Sequence, residues 1–196
     1  MIVLWRKNIS TQNPLLVKNF VNHVECDILF NWILSLYNQD KMTLWSKNNY
    51  LSGYRFFDKE NIFWPPIDNR ILKPLENIPS CFYEIRDLIR EKFNFQNELQ
   101  RKPATSLGGI MFKDGYVEPH IDSSVENFAH YRANVFASSD KGGLPIIDGK
   151  IFNVEKGDLI IFQADYFEHS TTVQQSDIPR VIVSYPFIIP KVSSTL

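Results

Sequence analysis

Cysteine is nearly absent. Only Cys26 and Cys81 occur in 196 residues, too few and too far apart for a disulfide framework, a Cys-x-x-Cys motif or a thiolate zinc site. Each sits in an apolar, helix-spaced stretch, so a buried free thiol is expected of both, which fits a reducing compartment. Net charge is equally scarce: 21 Lys and Arg against 22 Asp and Glu leave −1. No run of one sign is long enough to mark a nucleic-acid or membrane surface. No apolar run approaches the length of a membrane span, and Met1–Trp5 is too short for the apolar stretch of a secretory leader. A cytoplasmic location is therefore expected. Repeats and low-complexity segments are missing as well. What remains is ordinary globular material, 44% hydrophobic and 22% charged, enough for one core in a chain of single-domain length. One domain over 1–196 is expected, helical and aromatic-rich over 1–103 and a β core over 104–190.

Leu15–Phe20 reads as a strand. Asn22 or His23 then caps a helix from Val24 to Asn38, with Ile28, Leu29, Trp32, Ile33 and Leu36 at helical spacing. A second helix opens at Pro79 or Ser80 and runs to about Asn94. Ile78, Phe82, Ile85, Ile89 and Phe93 form its apolar stripe, and Glu84, Arg86, Asp87, Arg90, Glu91 and Lys92 its wet side. Between the helices, residues 40–76 carry Trp45, Tyr50, Tyr54, Phe56, Phe57, Phe63 and Trp64, broken by Pro65-Pro66 and Pro74. Tyr54–Phe57 has strand character, at a sheet edge or at the mouth of a pocket. Arg55 among these aromatics is a candidate for meeting a carboxylate or stacking on a ring. A polar linker over Gln96–Pro103 leads into the second half.

From Thr105 onward, strand-like runs alternate with tight turns. Asp148-Gly149, between Leu144–Ile147 and Lys150–Val154, is a two-residue hairpin signal. Counting these runs gives about eight short strands at close spacing. The expected fold is mostly β with N-terminal helices, its core a double-stranded β-helix of the jelly-roll, cupin-like type.

The chemistry gathers around Gly115–Asp122. His120 and Asp122 are two apart, so in an extended segment both side chains face one way and Ile121 the other. One more His makes three ligands on one face of an octahedron and leaves the opposite face open, the construction of a non-haem Fe(II) site. His169 is the candidate. Arg180 follows in the β-type run Pro179–Tyr185, a setting too apolar for a surface ion pair. Ser184 falls on the same face of that strand, and Arg132 and Asn134 share one face of Tyr131–Ala137. His130 is read as a strand-start residue rather than a ligand, and Tyr116 and Tyr131 as candidate pocket walls. A competing reading has His120 capping a turn with Asp122 solvating it, and Arg132 and Asn134 bracing a barrel as a polar network.

His-x-Asp at 120 and 122, a distant His at 169 and an Arg at 180 together resemble the Fe(II)- and 2-oxoglutarate-dependent oxygenases. The Arg132-x-Asn134 pair is similar to that of the aspartyl/asparaginyl β-hydroxylase branch, and the likeness extends to the prolyl hydroxylase-like branch. The match covers roughly Gly108–Pro186. The chain departs from some aspartyl hydroxylases in carrying a carboxylate ligand, Asp122.

The resemblance implies Fe(II) on His120, Asp122 and His169, with 2-oxoglutarate as co-substrate and O2. It implies Arg180, helped by Ser184, on the distal carboxylate of 2-oxoglutarate and Asn134 at its keto-acid end. Arg132 would contact the 2-oxo acid or a substrate carboxylate. The implied reaction decarboxylates 2-oxoglutarate to succinate and oxidises a C–H bond. Asp122, a carboxylate that related halogenases lack, favours hydroxylation or desaturation. The expected substrate is an amino acid, free or within a peptide or protein, with neither nucleic acid nor membrane as partner. The alternative is a cupin-like module that binds a metal or a 2-oxo acid without turnover.

Overall fold

The computed structural model describes residues 13–40, 42–44, 53–57, 77–98, 106–124 and 126–191. Among them the order is β1 (Leu15–Val17), α1 (His23–Asn38), β2 (Thr43–Leu44), β3 (Gly53–Phe57), α2 (Ser80–Lys92), β4 (Leu107–Met111), β5 (Phe128–Ser138), β6 (Pro145–Ile147), β7 (Lys150–Ile151), β8 (Leu159–Gln163), β9 (His169–Thr171) and β10 (Arg180–Pro190). A 3-10 turn, Phe95–Asn97, begins where the sequence suggests a polar linker. Strands β1-β8-β5-β10-β4-β3-β2 form a large antiparallel sheet, and β7-β6-β9 a small one.

After β4 the chain passes repeatedly between the sheets: β5, β8 and β10 enter the large one, and β6, β7 and β9 the small one. Segment 115–122 is not a regular strand, but it runs antiparallel along β9. Gln174 N–H donates to Gly115 O at 2.8 Å, Thr171 N–H to Val117 O at 3.1 Å, and His120 and His169 exchange both backbone bonds. This alternation is the double-stranded β-helix expected from the sequence. From Thr105 onward seven strands form, β4 to β10, with segment 115–122 in the place of an eighth; β1 extends one edge of the large sheet, and β2 with β3 the other.

Local chemistry sets the boundaries. Asn22 caps α1, its side-chain oxygen accepting from Glu25 N–H at 2.9 Å. Asp148 and Gly149 have φ of 52° and 70°, both left-handed, as a type I′ hairpin turn between β6 and β7 requires.

Period two divides the large sheet into two faces. Ala133 and Val135 on β5, and Val183, Tyr185 and Phe187 on β10, pack with Leu29 and Ile33 of α1 and Phe82, Ile85 and Ile89 of α2. Phe136, Ile160 and Phe162 face the other way, toward Ile147 and Phe167. Cys26 and Cys81 are free and buried on the helix side, and burial pushes the Cys26 thiol up to about 11.

Several expectations are corrected. Ile28 lies off the buried stripe of α1 and is exposed, with Cys26 in its place. Arg86 does not face water: it pairs with Glu98 at 2.5 Å and lies over the Phe187 ring at 4.9 Å. Tyr131 is no pocket wall, because its odd-numbered position turns it to the helix side against Phe95, 5.4 Å away. The strand at Tyr54–Phe57 is present, pairing with β2 and β4. Its side chains, Arg55 included, lie outside the described residues, as do Trp45, Tyr50, Phe63 and Trp64. No helix among the described residues is long and apolar enough to cross a membrane.

Candidate metal centre

Reciprocal backbone bonds of 3.1 and 2.8 Å make His120 and His169 directly opposed partners. Their side chains therefore rise from one face, and the ring centroids are 4.2 Å apart. Asp122 N–H donates to Ala164 O at 2.9 Å, keeping the segment extended, so the carboxylate returns to the face of His120 while Ile121 turns outward and is exposed. One ligand atom from each of His120, Asp122 and His169 lies within 4.8 Å of the others. Asp122 Oδ1 is 3.7 Å from His120 Nε2 and 3.9 Å from His169 Nε2. Bonds of about 2.1 Å at right angles would put such atoms about 3 Å apart, so a modest closing movement fits all three to one face of an octahedron.

The backbone also fixes the tautomers. Nδ1 of His120 is 2.8 Å from Glu118 O, and Nδ1 of His169 is 3.0 Å from Phe167 O. A carbonyl only accepts, so each Nδ1 carries the proton and each Nε2 presents its lone pair. Burial, joined by the neighbouring His120, lowers His169 to about 4, leaving it neutral as a ligand must be.

The second carboxylate oxygen is engaged elsewhere. Arg132 Nε donates to Asp122 Oδ2 at 2.5 Å, and Arg132 Nη1 lies 3.4 Å from Ser184 Oγ. Burial raises the Asp122 carboxyl, but the charge and hydrogen bond of Arg132 outweigh it and hold the group at about 2. His130, one inward position earlier on β5, is 4% exposed and places Nδ1 3.8 Å from the same Oδ2. Neither of its ring nitrogens bonds a described residue. Burial and then the Arg132 charge lower it to about 4, so it too is neutral near pH 7.

A cavity between the sheets joins this cluster to Arg180 at the first position of β10. Burial lowers the guanidinium to about 10, still a cation at neutral pH. It donates through Nη1 to Gly143 O and lies 5.9 Å from the centroid of the Phe136 ring. Among the described residues no carboxylate pairs with it, and its Nε has no partner. Glycine suits this contact: the φ of Gly143 is +60°, and a Cβ would come within 2.9 Å of Gln174 Oε1 and 3.1 Å of Arg180 Cδ. Asn134 and Ser184 are directly opposed on β5 and β10 and line the same cavity. Asn134 Oδ1 is buried without a partner among the described residues. Metal-type donors at one end and an uncompensated cation at the other suit a small acid that chelates through one end and carries a carboxylate at the other.

The seven residues given metal or co-substrate roles in the sequence, His120, Asp122, His169, Arg132, Asn134, Arg180 and Ser184, come together at this cluster and cavity, whereas Tyr116 and Tyr131 do not line it. Arg132 is found on Asp122. His130, read as a strand residue and not a ligand, indeed stands in β5 outside the metal-type group; its place beside Asp122, and the Gly143 contact, were not foreseen. Position parity could have found His130, because 130, 132, 134 and 136 share one face of β5; nothing local in the sequence announces the Gly143 contact.

No protein-family model and no curated protein sequence matches the chain. Solved structures do. A prolyl-4-hydroxylase of Pseudomonas putida is 12% identical, with a TM-score of 0.64 covering 91% of this chain and 92% of its own. A prolyl hydroxylase from Trichoplax adhaerens, solved with a hypoxia inducible factor oxygen degradation domain peptide fragment, is 13% identical, with a TM-score of 0.63 covering 92% and 84%. HygX from Streptomyces hygroscopicus, solved with nickel and 2-oxoglutarate bound, is 10% identical, with a TM-score of 0.61 covering 93% and 84%. The chain shares its fold with these proteins.

Proposed function

We propose that this chain is an Fe(II)- and 2-oxoglutarate-dependent dioxygenase that hydroxylates a C–H bond of an amino acid, free or within a peptide or protein. Arg180 carries the reading. A buried guanidinium without a counter-ion is costly to keep, and this one shares a cavity with His120 and His169, whose free Nε2 atoms meet Asp122 Oδ1. 2-Oxoglutarate answers both ends, with a 2-oxo acid to chelate and a distal carboxylate for a planar fork. The shared fold with HygX, solved with nickel and 2-oxoglutarate, supports the pairing.

In this reading His120 Nε2, His169 Nε2 and Asp122 Oδ1 hold Fe(II) on one face, and Fe(II) when bound supplies the O2 chemistry that side chains lack. The chain does the rest. Glu118 O and Phe167 O keep the two imidazoles in the ligating tautomer. Arg180 anchors the acid, and Asn134 and Ser184 offer polar contacts along it. Phe136, Phe162 and Ile182 line the cavity with apolar surface that keeps water from the reacting centre. For the substrate, the fold is compatible with both sizes: the Trichoplax adhaerens enzyme was solved with a peptide fragment and HygX with hygromycin B.

The test is anaerobic. Fe(II) and then 2-oxoglutarate are added, and the visible charge-transfer band of the chelate is sought, with His120→Ala as control. A band in the wild-type protein alone supports the reading, and succinate formation then screens amino acids and peptides. No band from folded, metal-loaded protein would overturn it in favour of a binding module.

A further inference from the structure

The cavity holds two arginines in opposite situations. Arg180 has no carboxylate among the described residues, whereas Arg132 is already paired, 2.5 Å from Asp122 Oδ2. That pairing splits one carboxylate between two tasks. Oδ2 faces Arg132 Nε, with His130 Nδ1 behind it at 3.8 Å; Oδ1 faces the Nε2 atoms of His120 and His169 at 3.7 and 3.9 Å. Arg132 is itself held firmly. It stands inside β5, in register with Phe162 of β8 on one side and Pro186 of β10 on the other, and its Nη1 reaches Ser184 Oγ.

We infer that Arg132 is a positioning residue of the metal centre, holding Asp122 so that Oδ1 alone is offered to the metal. The inference rests on the reading of this site as a metal centre. It removes Arg132 from the groups that bind the co-substrate: a guanidinium bonded to a carboxylate of 13% side-chain exposure would have to share its charge with a second one, while Arg180 stands ready with none. A carboxylate restricted to one oxygen takes one position on a metal, leaving more of the coordination sphere for ligands from outside the protein. With Arg132 gone, the buried carboxylate would be free to rotate and would lose its compensating charge.

Mn(II) binding in the absence of 2-oxoglutarate tests this, measured for the full chain as wild type, Arg132→Ala, Arg132→Gln and Arg132→Lys. The expected result is about 10- to 100-fold weaker Mn(II) binding for the Ala and Gln variants, partial recovery with Lys, and no further loss when Arg132→Gln is combined with Asp122→Asn. At saturating Mn(II), 2-oxoglutarate affinity should stay at the wild-type value. Should Arg132→Ala fail to fold, the Gln and Lys variants decide alone. Unchanged Mn(II) affinity in Arg132→Gln overturns the inference, and if 2-oxoglutarate binding weakens instead, Arg132 belongs to the co-substrate. An equal loss in the Asp122→Asn background overturns it too, since the effect would not pass through Asp122. Wild-type protein that binds no Mn(II) would sink the proposed function itself, a different failure.

Discussion

The two faces of the large sheet are built from alternate residues of the same strands, yet they differ in nearly every physical respect. Toward the helices, β5 and β10 present Ala133, Val135, Val183 and Phe187, all at or near zero exposure and packed against helix side chains. Toward the small sheet the same strands present His130, Arg180 and Ser184, all buried, and half-buried Arg132 and Asn134, with two cations and several polar atoms that lack partners among the described residues. The helix face is sealed mainly by apolar contact, with the Tyr185 hydroxyl and the Arg86–Glu98 pair as its polar exceptions. The inner face remains expensive for the free chain, since buried polar groups without partners cost more than apolar ones. One strand can thus serve stability and binding at once because its side chains alternate, and the two tasks should separate under mutation.

The largest expected separation comes from His120→Ala. Substrate-dependent succinate formation should vanish while the thermal melt stays near wild type, because the His120 side chain is 37% exposed; retained turnover would remove it from the ligand set. Next is the opposite perturbation. Phe187, fully buried and stacked 4.7 Å from Phe95 at 28°, should cost about 3–5 kcal/mol in urea unfolding when changed to Ala. The folded fraction should keep its Mn(II) affinity, and a parallel loss of metal binding would show that the faces are coupled. Arg180→Ala should weaken 2-oxoglutarate binding by about 10- to 100-fold, the value of a charged hydrogen-bonded pair. Titration calorimetry at saturating metal measures this, and an unchanged affinity would refute the anchor.

The smallest effect is with pH. His130 and His169 lie near 4 in the folded chain against an ordinary value of 6.5. The unfolded chain therefore takes up protons first as pH falls. Their contribution to stability is complete above 6.5 and declines toward 4. The metal-free protein should accordingly melt at lower temperature at pH 5 than at 6.5, with a shallower dependence in His130→Gln. A flat profile in wild type would mean that neither imidazole is buried in its neutral form.

How much of this was legible depended on whether the cause was local. Asp148-Gly149 specified its own turn because φ > 0 at two successive residues suits few other pairs. The two helices announced themselves through apolar spacing, and the first cap as Asn22 or His23, of which Asn22 takes the role. His120 and Asp122 were readable as a pair because ligand type and two-residue spacing are properties of the chain itself, whereas His169, distant in sequence, was readable by ligand type alone. The long-range facts were not. Arg86 looked solvated among charged neighbours, yet Glu98 and the Phe187 ring cover it. Arg132 looked free to meet an acid, and nothing near it in sequence says that Asp122 already occupies it. His130 was set aside for its loop-like approach, though its parity with Arg132 on β5 places it beside the same carboxylate.

The reciprocal bonds between His120 and His169 carry one last consequence, for assembly. Segment 115–122 holds one alignment on β9, and a strand pairing shifted by a single residue sends every side chain to the opposite face. Such a slip would turn Ile121 inward and send His120 and Asp122 to solvent. A metal held by all three ligands would favour only the chains that closed in the correct alignment, and would stabilise them by mass action. The ion that serves the chemistry would then also proofread the barrel, and adding it during refolding should raise the yield of correctly closed protein.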